Sequence, residues 1–273
     1  MGHNAATFQG PAPFRAATGY AQVITYEYPL NERVRTLLRL EDLYDRVHHF
    51  LALDSPHDHH ACLTGMFEIL EVASRADLKS DLLQELDRQR TFLDALRSNP
   101  AISEEKLNQV LGDIDSAFTN LHALSGKTGQ NLRENEWLMA IKQRAGIPGG
   151  TSEFDLPSYH YWLQHPAAQR RADLTEWMKP INPVHAALSI VLRVLRESGR
   201  TASLIAYQGV FQQTPAEKPA QMLRLSLARN LPCIPEISAN KYALNIRFLL
   251  PEGVQKSRVY EQDVAFDLAF CNL

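Results

Sequence analysis

The segment PVHAALSIVLRVLRESGRTASLIAYQ, residues 183–208, contains the point at which the hydrophobic period of the chain changes. From residue 31 to about 198, apolar side chains recur at three- and four-residue steps, which is the spacing of amphipathic helices. After Gly199 the apolar residues alternate with polar ones, as at Leu223, Leu225 and Leu227. Alternation indicates strands with one buried face and favours an antiparallel sheet. The sequence therefore predicts an α+β fold, with an N-terminal mostly helical domain followed by a smaller antiparallel β-sheet domain.

The β-sheet domain is expected to contain four strands joined by loops that contain proline. The predicted strands are 202–212, 223–227, 244–248 and 264–270, and the predicted loops are 214–219, 231–236 and 251–258. Upstream, AQVITYEY at 21–28 is rich in β-branched and aromatic residues, so we expect it to join the C-terminal sheet. The predicted organisation is a disordered tail at 1–19, the joining strand at 20–29, a helical domain at 30–199 and a β domain at 200–273.

The stretch PLNERVRTLLRLEDLYDRV at 29–47 predicts a first helix that carries a row of arginines. Its apolar side is formed by Leu37, Leu40, Tyr44 and Val47. The opposite side carries Arg35, Arg39 and Arg46 at three- or four-residue steps. The following DSPHDHH at 54–60 is interpreted as a loop in which Asp58 caps the next helix.

The composition narrows the class of protein. The chain has 273 residues, of which 45% are hydrophobic and 22% are charged, and its formal net charge is -3. A pI near 6.4 argues against a nucleic-acid partner, because non-specific nucleic-acid binding needs a basic field. Three widely spaced cysteines do not suggest a disulfide framework. The N-terminus lacks a signal-peptide pattern, and no apolar run is long enough for a membrane span, so we expect a cytoplasmic protein without a membrane partner.

The patch HDHHAC at 57–62 is the stretch that most resembles an enzyme site. Its imidazole, carboxylate and thiol groups are possible zinc ligands, but adjacent residues rarely converge on one metal. The chain contains no HExxH, CxxC, GxSxG, Walker A or GxGxxG motif. We therefore predict no catalytic residue, no metal and no cofactor. The alternative from another class is a metal-dependent hydrolase centred on His57, His59, His60 and Cys62.

Several blocks of the sequence together resemble the ZapD family, the Z-ring-associated proteins of bacterial cell division. The blocks are YEYPLNERVRTLLRLE (26–41), DLLQELDRQR (81–90), LREN (132–135), IPGG (147–150), FDLP (154–157) followed by His160 and Trp162-Leu163, INP (181–183), MLRLSLA (222–228), NKYALNIRF (240–248) and the closing DVAFDLAFC. They run in order through nearly the whole chain.

The resemblance implies a non-enzymatic homodimer that binds the C-terminal tail of FtsZ and cross-links FtsZ filaments into bundles at midcell, where it promotes Z-ring assembly. It also implies a basic pocket for the tail. The positions that fit this pocket are Arg35, Arg39, Arg133, Lys142, Arg144 and His160, with Arg224, Lys241 and Arg247 from the sheet. Two departures stand out: the 19-residue N-terminal extension, and Glu136 where the resemblance implies a basic residue.

Overall fold

The computed structural model describes residues 23–74, 77–100, 102–126, 128–214, 220–240, 242–251 and 258–272. These residues form two compact units: one is Asn31–Glu197, and the other combines the chain up to Leu30 with Ser198–Asn272. The helices are α1 (Glu32–Leu51), α2 (Pro56–Ser74), α3 (Leu78–Asp94), α4 (Glu104–His122), α5 (Gln130–Arg133), α6 (Glu136–Ala145), α7 (Pro157–Leu163), α8 (Ala167–Met178) and α9 (Asn182–Glu197). The strands are β1 (Val23–Pro29), β2 (Arg200–Ala206), β3 (Val210–Gln213), β4 (Met222–Ala228), β5 (Ile234–Ala239), β6 (Leu244–Leu249) and β7 (Val264–Cys271).

The helical unit is built around α1 and α9. Helix α1 packs against α2, α8 and α9, and α3 packs against α4 and α9. The apolar side predicted for α1 is buried, and at its centre the Tyr44 hydroxyl donates to the Ile181 carbonyl at 2.9 Å. Gln89 of α3 likewise donates to the Val191 carbonyl of α9 at 3.1 Å. Both bonds satisfy buried donors with main-chain acceptors, whereas the Gln89 Oε1 acceptor is buried and has no hydrogen-bond partner among the described residues.

The strands of the sheet unit form two antiparallel sheets, in the orders β1-β4-β7-β2 and β3-β6-β5. Strand β1 pairs along its whole length with β4, so the prediction that the N-terminal strand joins the C-terminal sheet is confirmed. The core between the sheets is apolar, and Phe266 of β7 contacts the rings of Phe211 and Phe248 at centroid distances of 5.4 and 5.2 Å. The α+β class is therefore confirmed.

Three details of the sequence prediction are wrong. The predicted strand 202–212 divides into β2 and β3, because Gln208 and Gly209 have φ angles of 49° and 72° and turn the chain from one sheet to the other. The predicted loop 231–236 overlaps β5, whose Pro235 is tolerated because β5 lies at an edge of its sheet. The strands accordingly belong to two sheets rather than one.

The third error concerns the predicted loop 54–60. Helix α2 already begins at Pro56, since proline is favoured in a first helical turn. The Asp58 carboxylate accepts from the Ser55 amide, and the Ser55 hydroxyl accepts from the Asp58 amide, both at 3.1 Å. Asp58 does take part in capping α2, but from inside its first turn in a reciprocal capping box. The tail predicted at 1–19 lies outside the described residues.

Candidate partner-binding surface

The basic side of α1 starts at a well-formed helix end. The Asn31 side chain accepts from the Val34 amide at 2.8 Å and caps the helix. Glu32 lies in the first turn, where a carboxylate is favoured by the helix dipole. Its two oxygens lie 3.1 Å from Arg35 Nε and 3.9 Å from an Arg39 guanidinium nitrogen. One carboxylate thus sits between two arginines.

Of these two arginines, Arg39 has the more exposed side chain. Its side chain is 63% exposed, and its 3.9 Å contact with Glu32 is longer than a hydrogen bond. An exposed ion pair of this kind contributes little to stability. The Arg39 guanidinium can therefore donate a forked pair of hydrogen bonds to a partner's carboxylate without breaking an internal hydrogen bond to Glu32.

Arg133 and Lys142 meet at the C-terminal end of α2. The Arg133 guanidinium donates to the carbonyls of Leu70 at 2.5 Å and Thr128 at 2.8 Å. Lys142 Nζ lies 3.2 Å from a carboxylate oxygen of Glu71. Arg133 is half-buried and ties the short helix α5 to α2, so part of its hydrogen-bonding capacity serves the fold.

Arg144 and His160 lie near the two ends of one loop segment, Glu153-Phe154-Asp155. Arg144 lies 3.7 Å from an Asp155 oxygen, and His160 Nε2 lies 3.7 Å from a Glu153 oxygen. Both contacts exceed hydrogen-bonding distance. Arg144 and His160, both predicted to bind a partner, therefore flank the same short acidic segment.

Glu136, the departure from the basic residue implied by the resemblance, has a local explanation. It follows the N-cap residue Asn135, whose side chain accepts from the Leu138 amide at 3.1 Å. A carboxylate at this first-turn position interacts favourably with the positive end of the helix dipole. Glu136 is exposed and suits the start of α6.

The predicted residues of the sheet unit lie in cross-strand pairs. Arg224 Nε of β4 donates to Glu27 of β1 at 3.0 Å, and these residues are directly opposite each other. Arg247 Nε of β6 donates to its opposite residue Glu236 at 2.9 Å. Lys241 lies outside the described residues. Arg224 and Arg247 are on different sheets, and each stabilises its own strand pair.

The geometry of HDHHAC does not favour the hydrolase alternative. Both ring nitrogens of the buried His59 are engaged: Nδ1 accepts from Arg170 Nε at 2.9 Å, which leaves Nε2–H to donate to the Leu53 carbonyl at 2.8 Å. Burial, together with the nearby Arg170 charge, lowers the pKa of His59. Burial raises the pKa of Cys62 to about 12, which disfavours the thiolate that a metal or nucleophilic reaction needs. Among the described residues, no group of three His, Cys, Asp or Glu side chains is placed to hold a metal.

Sequence reasoning missed three large apolar residues that are exposed between the end of α6 and α7. Ile147, Phe154 and Tyr161 have exposed fractions of 49%, 82% and 69%. By contrast, Tyr159 and Trp162 of the same helix α7 are buried. The available signal was Phe154 itself, a large apolar residue between two carboxylates in a segment without helical or strand periodicity.

Comparison with known proteins decides the family. The family model for ZapD, described as a cell division protein, matches residues 38–247. The chain belongs to the ZapD family. A ZapD cell division protein of Azoarcus sp. is 57% identical over 92% of this chain and 100% of its own length. Those of Aromatoleum aromaticum and Nitrosomonas europaea are 56% and 54% identical over 92% of this chain, and over 98% and 96% of their own lengths.

The family membership agrees with the resemblance seen in the sequence. The relatives are named for cell division, and their names denote no catalytic activity. No helix among the described residues is long and apolar enough to cross a membrane.

Proposed function

We propose that this chain is a non-enzymatic cell division factor that binds the C-terminal tail of FtsZ and cross-links FtsZ filaments into bundles. It would act in the cytoplasm, at midcell with the Z-ring. The observation that carries the proposal is the match to the ZapD family over most of the chain. Arg39 supports the tail-binding part, because its exposed guanidinium lies beyond hydrogen-bonding distance of Glu32 and suits a carboxylate-bearing tail.

Cross-linking requires at least two tail sites in one particle, so we propose a homodimer with one site on each protomer. Ordering a flexible tail costs entropy, and each single site is therefore expected to bind weakly. Two sites joined in one particle convert the second binding step into an intramolecular one and raise the overall affinity. Light scattering should give twice the protomer mass of 30.8 kDa.

The function is tested by sedimenting FtsZ polymers with this protein, using FtsZ with and without its C-terminal tail. We expect the protein to enter the pellet and to increase bundling only with the intact tail. Equal co-sedimentation with tail-less FtsZ would contradict tail binding. A particle with the mass of one protomer that still forms bundles would contradict the dimeric mechanism.

A further inference from the structure

Strand β2 is the open edge of its sheet. Its one strand neighbour among the described residues is β7, which pairs with it from Arg200 to Ala206. Five of the seven β2 residues are exposed, including Ala202, which lies opposite the buried Leu268. By contrast, only two of the seven residues of β1, at the other edge, are exposed. The outer side of β2 is therefore accessible to another strand.

The other three sheet edges carry features that discourage strand pairing, and β2 lacks them. Strand β1 carries Glu27 and ends in Pro29, β3 has only four residues, and β5 contains Pro235. Proline, charge and short length are the usual protections of an edge. The β2 sequence RTASLIA has seven residues, no proline and a single charge, Arg200, at its first position. An edge of this length without these protections is suited to pair with another strand.

The sequence of β2 is compatible with antiparallel pairing to its own copy. Full overlap places Ser203 opposite Ser203 of the second copy, and Thr201 opposite Ile205. Thr201 and Ile205 are both β-branched and pack well on a pleated surface. The two Arg200 side chains lie at opposite ends, about 20 Å apart, so their repulsion is largely screened. A specific foreign peptide would need pockets for its side chains, and the small exposed residues Thr201, Ala202 and Ser203 do not form such pockets.

We propose that β2 pairs antiparallel with β2 of a second copy and joins the four-stranded sheets of two particles. The contact is a strip about 24 Å long, which is small beside a stable interface that buries about 1,200–2,000 Å². It is therefore weak in dilute solution and adds to the proposed homodimer rather than forming it. Particles bound side by side on filaments have a high local concentration, which favours a weak contact. Strand β2 thus gives bundling a second link, between cross-linking particles.

Cysteine cross-linking tests the pairing directly, because the three native cysteines are buried. Ser203→Cys should form a disulfide between copies on mild oxidation of the full-length protein, since opposite residues of antiparallel strands lie about 4.5–5.5 Å apart. Thr25→Cys is the matched control, at an exposed position of the β1 edge. Each hydroxyl has a cross-strand hydrogen bond, Ser203 with Asp267 at 2.7 Å and Thr25 with Ser226 at 2.9 Å. Equal cross-linking of the two variants, or none in Ser203→Cys, would overturn the proposal.

Sedimentation velocity over a range of concentrations measures the same contact without a cross-link. The wild type should form particles larger than the proposed dimer as its concentration rises. Ser203→Lys places like charges directly opposite each other and should weaken this association at least about tenfold, whereas Thr25→Lys should behave like the wild type. Both variants should keep the wild-type melting temperature. Unchanged association of Ser203→Lys, or its dissociation into single protomers, would contradict an additional contact through β2.

Co-sedimentation with FtsZ polymers separates this proposal from the proposed function. Ser203→Lys should still enter the pellet, because the residues proposed to bind the tail are unchanged, but it should form smaller bundles than Thr25→Lys, as measured by light scattering. Bundles of wild-type size in Ser203→Lys would overturn the inference and leave tail binding intact. Failure of the wild type to enter the pellet would overturn the proposed function, while self-association of the protein alone would still support the β2 contact.

Discussion

The guanidinium of Arg133 donates to the main-chain carbonyl of Leu70 at 2.5 Å and so connects α5 to the end of α2. With its second bond to Thr128, this contact gives Arg133 a structural role that its sequence position does not reveal. Arg133→Ala should lower the free energy of unfolding by about 1–3 kcal/mol, because two charge-assisted hydrogen bonds are lost. Denaturant titration followed by circular dichroism measures the loss.

Lys142→Ala is the control for Arg133, since Lys142 reaches the neighbouring residue Glu71 through a partly exposed ion pair. Its removal should change stability by no more than about 0.5 kcal/mol. Equal stability of the two variants would contradict a structural role for Arg133.

Gly209 is expected to be the most sensitive glycine of the sheet unit. Its φ angle is 72°, and a Cβ at this position would lie 2.1 Å from the Tyr260 carbonyl oxygen. Gly209→Ala should therefore destabilise the protein by about 2–4 kcal/mol, through backbone strain and the steric clash. In α4, a Cβ added at Gly112 would meet no atom within 4 Å, so Gly112→Ala should stabilise the protein by about 0.5–1 kcal/mol. Urea unfolding of both variants checks the opposite signs, and a neutral Gly209→Ala would contradict the turn geometry.

Because His59 is buried, we predict that the folded protein is less stable in acid. Burial, and then the nearby Arg170 charge, lower the pKa of His59 below the ordinary value of 6.5 in the folded state, where its Nδ1 accepts from Arg170 Nε. The unfolded state therefore binds more protons below about pH 6.5, so the free energy of unfolding falls as the pH is lowered through that range. Burial also lowers the pKa values of His60 and His185, which adds to the same trend.

Urea titrations between about pH 7 and 5 measure this dependence. His59→Gln should show a shallower decline than the wild type, whereas His49→Gln, at an exposed position of α1, should keep the wild-type slope. An unchanged slope in His59→Gln would show that His59 is not kept neutral by folding.

Strand β1 should be indispensable, although it lies far in sequence from its sheet. Deleting 23–29 removes the partner of β4 and takes Tyr26 and Tyr28 away from the apolar core. The exposed β4 edge should then cause aggregation, seen as a loss of soluble protein.

Deleting 1–19 is expected to leave folding and bundling unchanged. Unfolding of the variant that lacks 1–19 would refute the tail prediction.

The sequence predicted the fold where one period dominates and failed where a local residue overrides it. The alternation at Leu223, Leu225 and Leu227 indicated β4 because one face of that strand is buried. Because of Pro235, a loop was predicted where β5 lies, since the sequence does not reveal that this strand is at the edge of its sheet. Pro56 was read as part of a loop, although it starts α2.

The candidate site was less predictable than the fold, because the contacts between its charged side chains depend on loop geometry. Periodicity placed Arg39 on the exposed side of α1, and its exposure agrees with that. It did not indicate that Arg144 and His160 face the residues on either side of Phe154, because those contacts arise from the turn between α6 and α7. It also gave no reason to expect Arg133 to bind main-chain carbonyls.

Substitution of Arg39 gives the most specific prediction of the proposed tail binding. Because its side chain is exposed and its contact with Glu32 is long, Arg39→Ala should change stability by no more than about 0.5 kcal/mol. Loss of a forked carboxylate contact should cost about 1.5–3 kcal/mol of binding, or about ten- to a hundredfold in affinity. Arg39→Lys should recover only part of this, because lysine lacks the planar fork.

The most direct test is the affinity of a fluorescent FtsZ tail peptide, measured by anisotropy for the wild type, Arg39→Ala and the control Arg90→Ala. Arg90 is an exposed arginine of α3 paired with Asp87, so its removal changes the charge equally. We predict wild-type melting temperatures throughout, near wild-type affinity for Arg90→Ala, and at least about tenfold weaker binding for Arg39→Ala. A stable Arg39→Ala variant that binds the peptide with wild-type affinity would contradict the account.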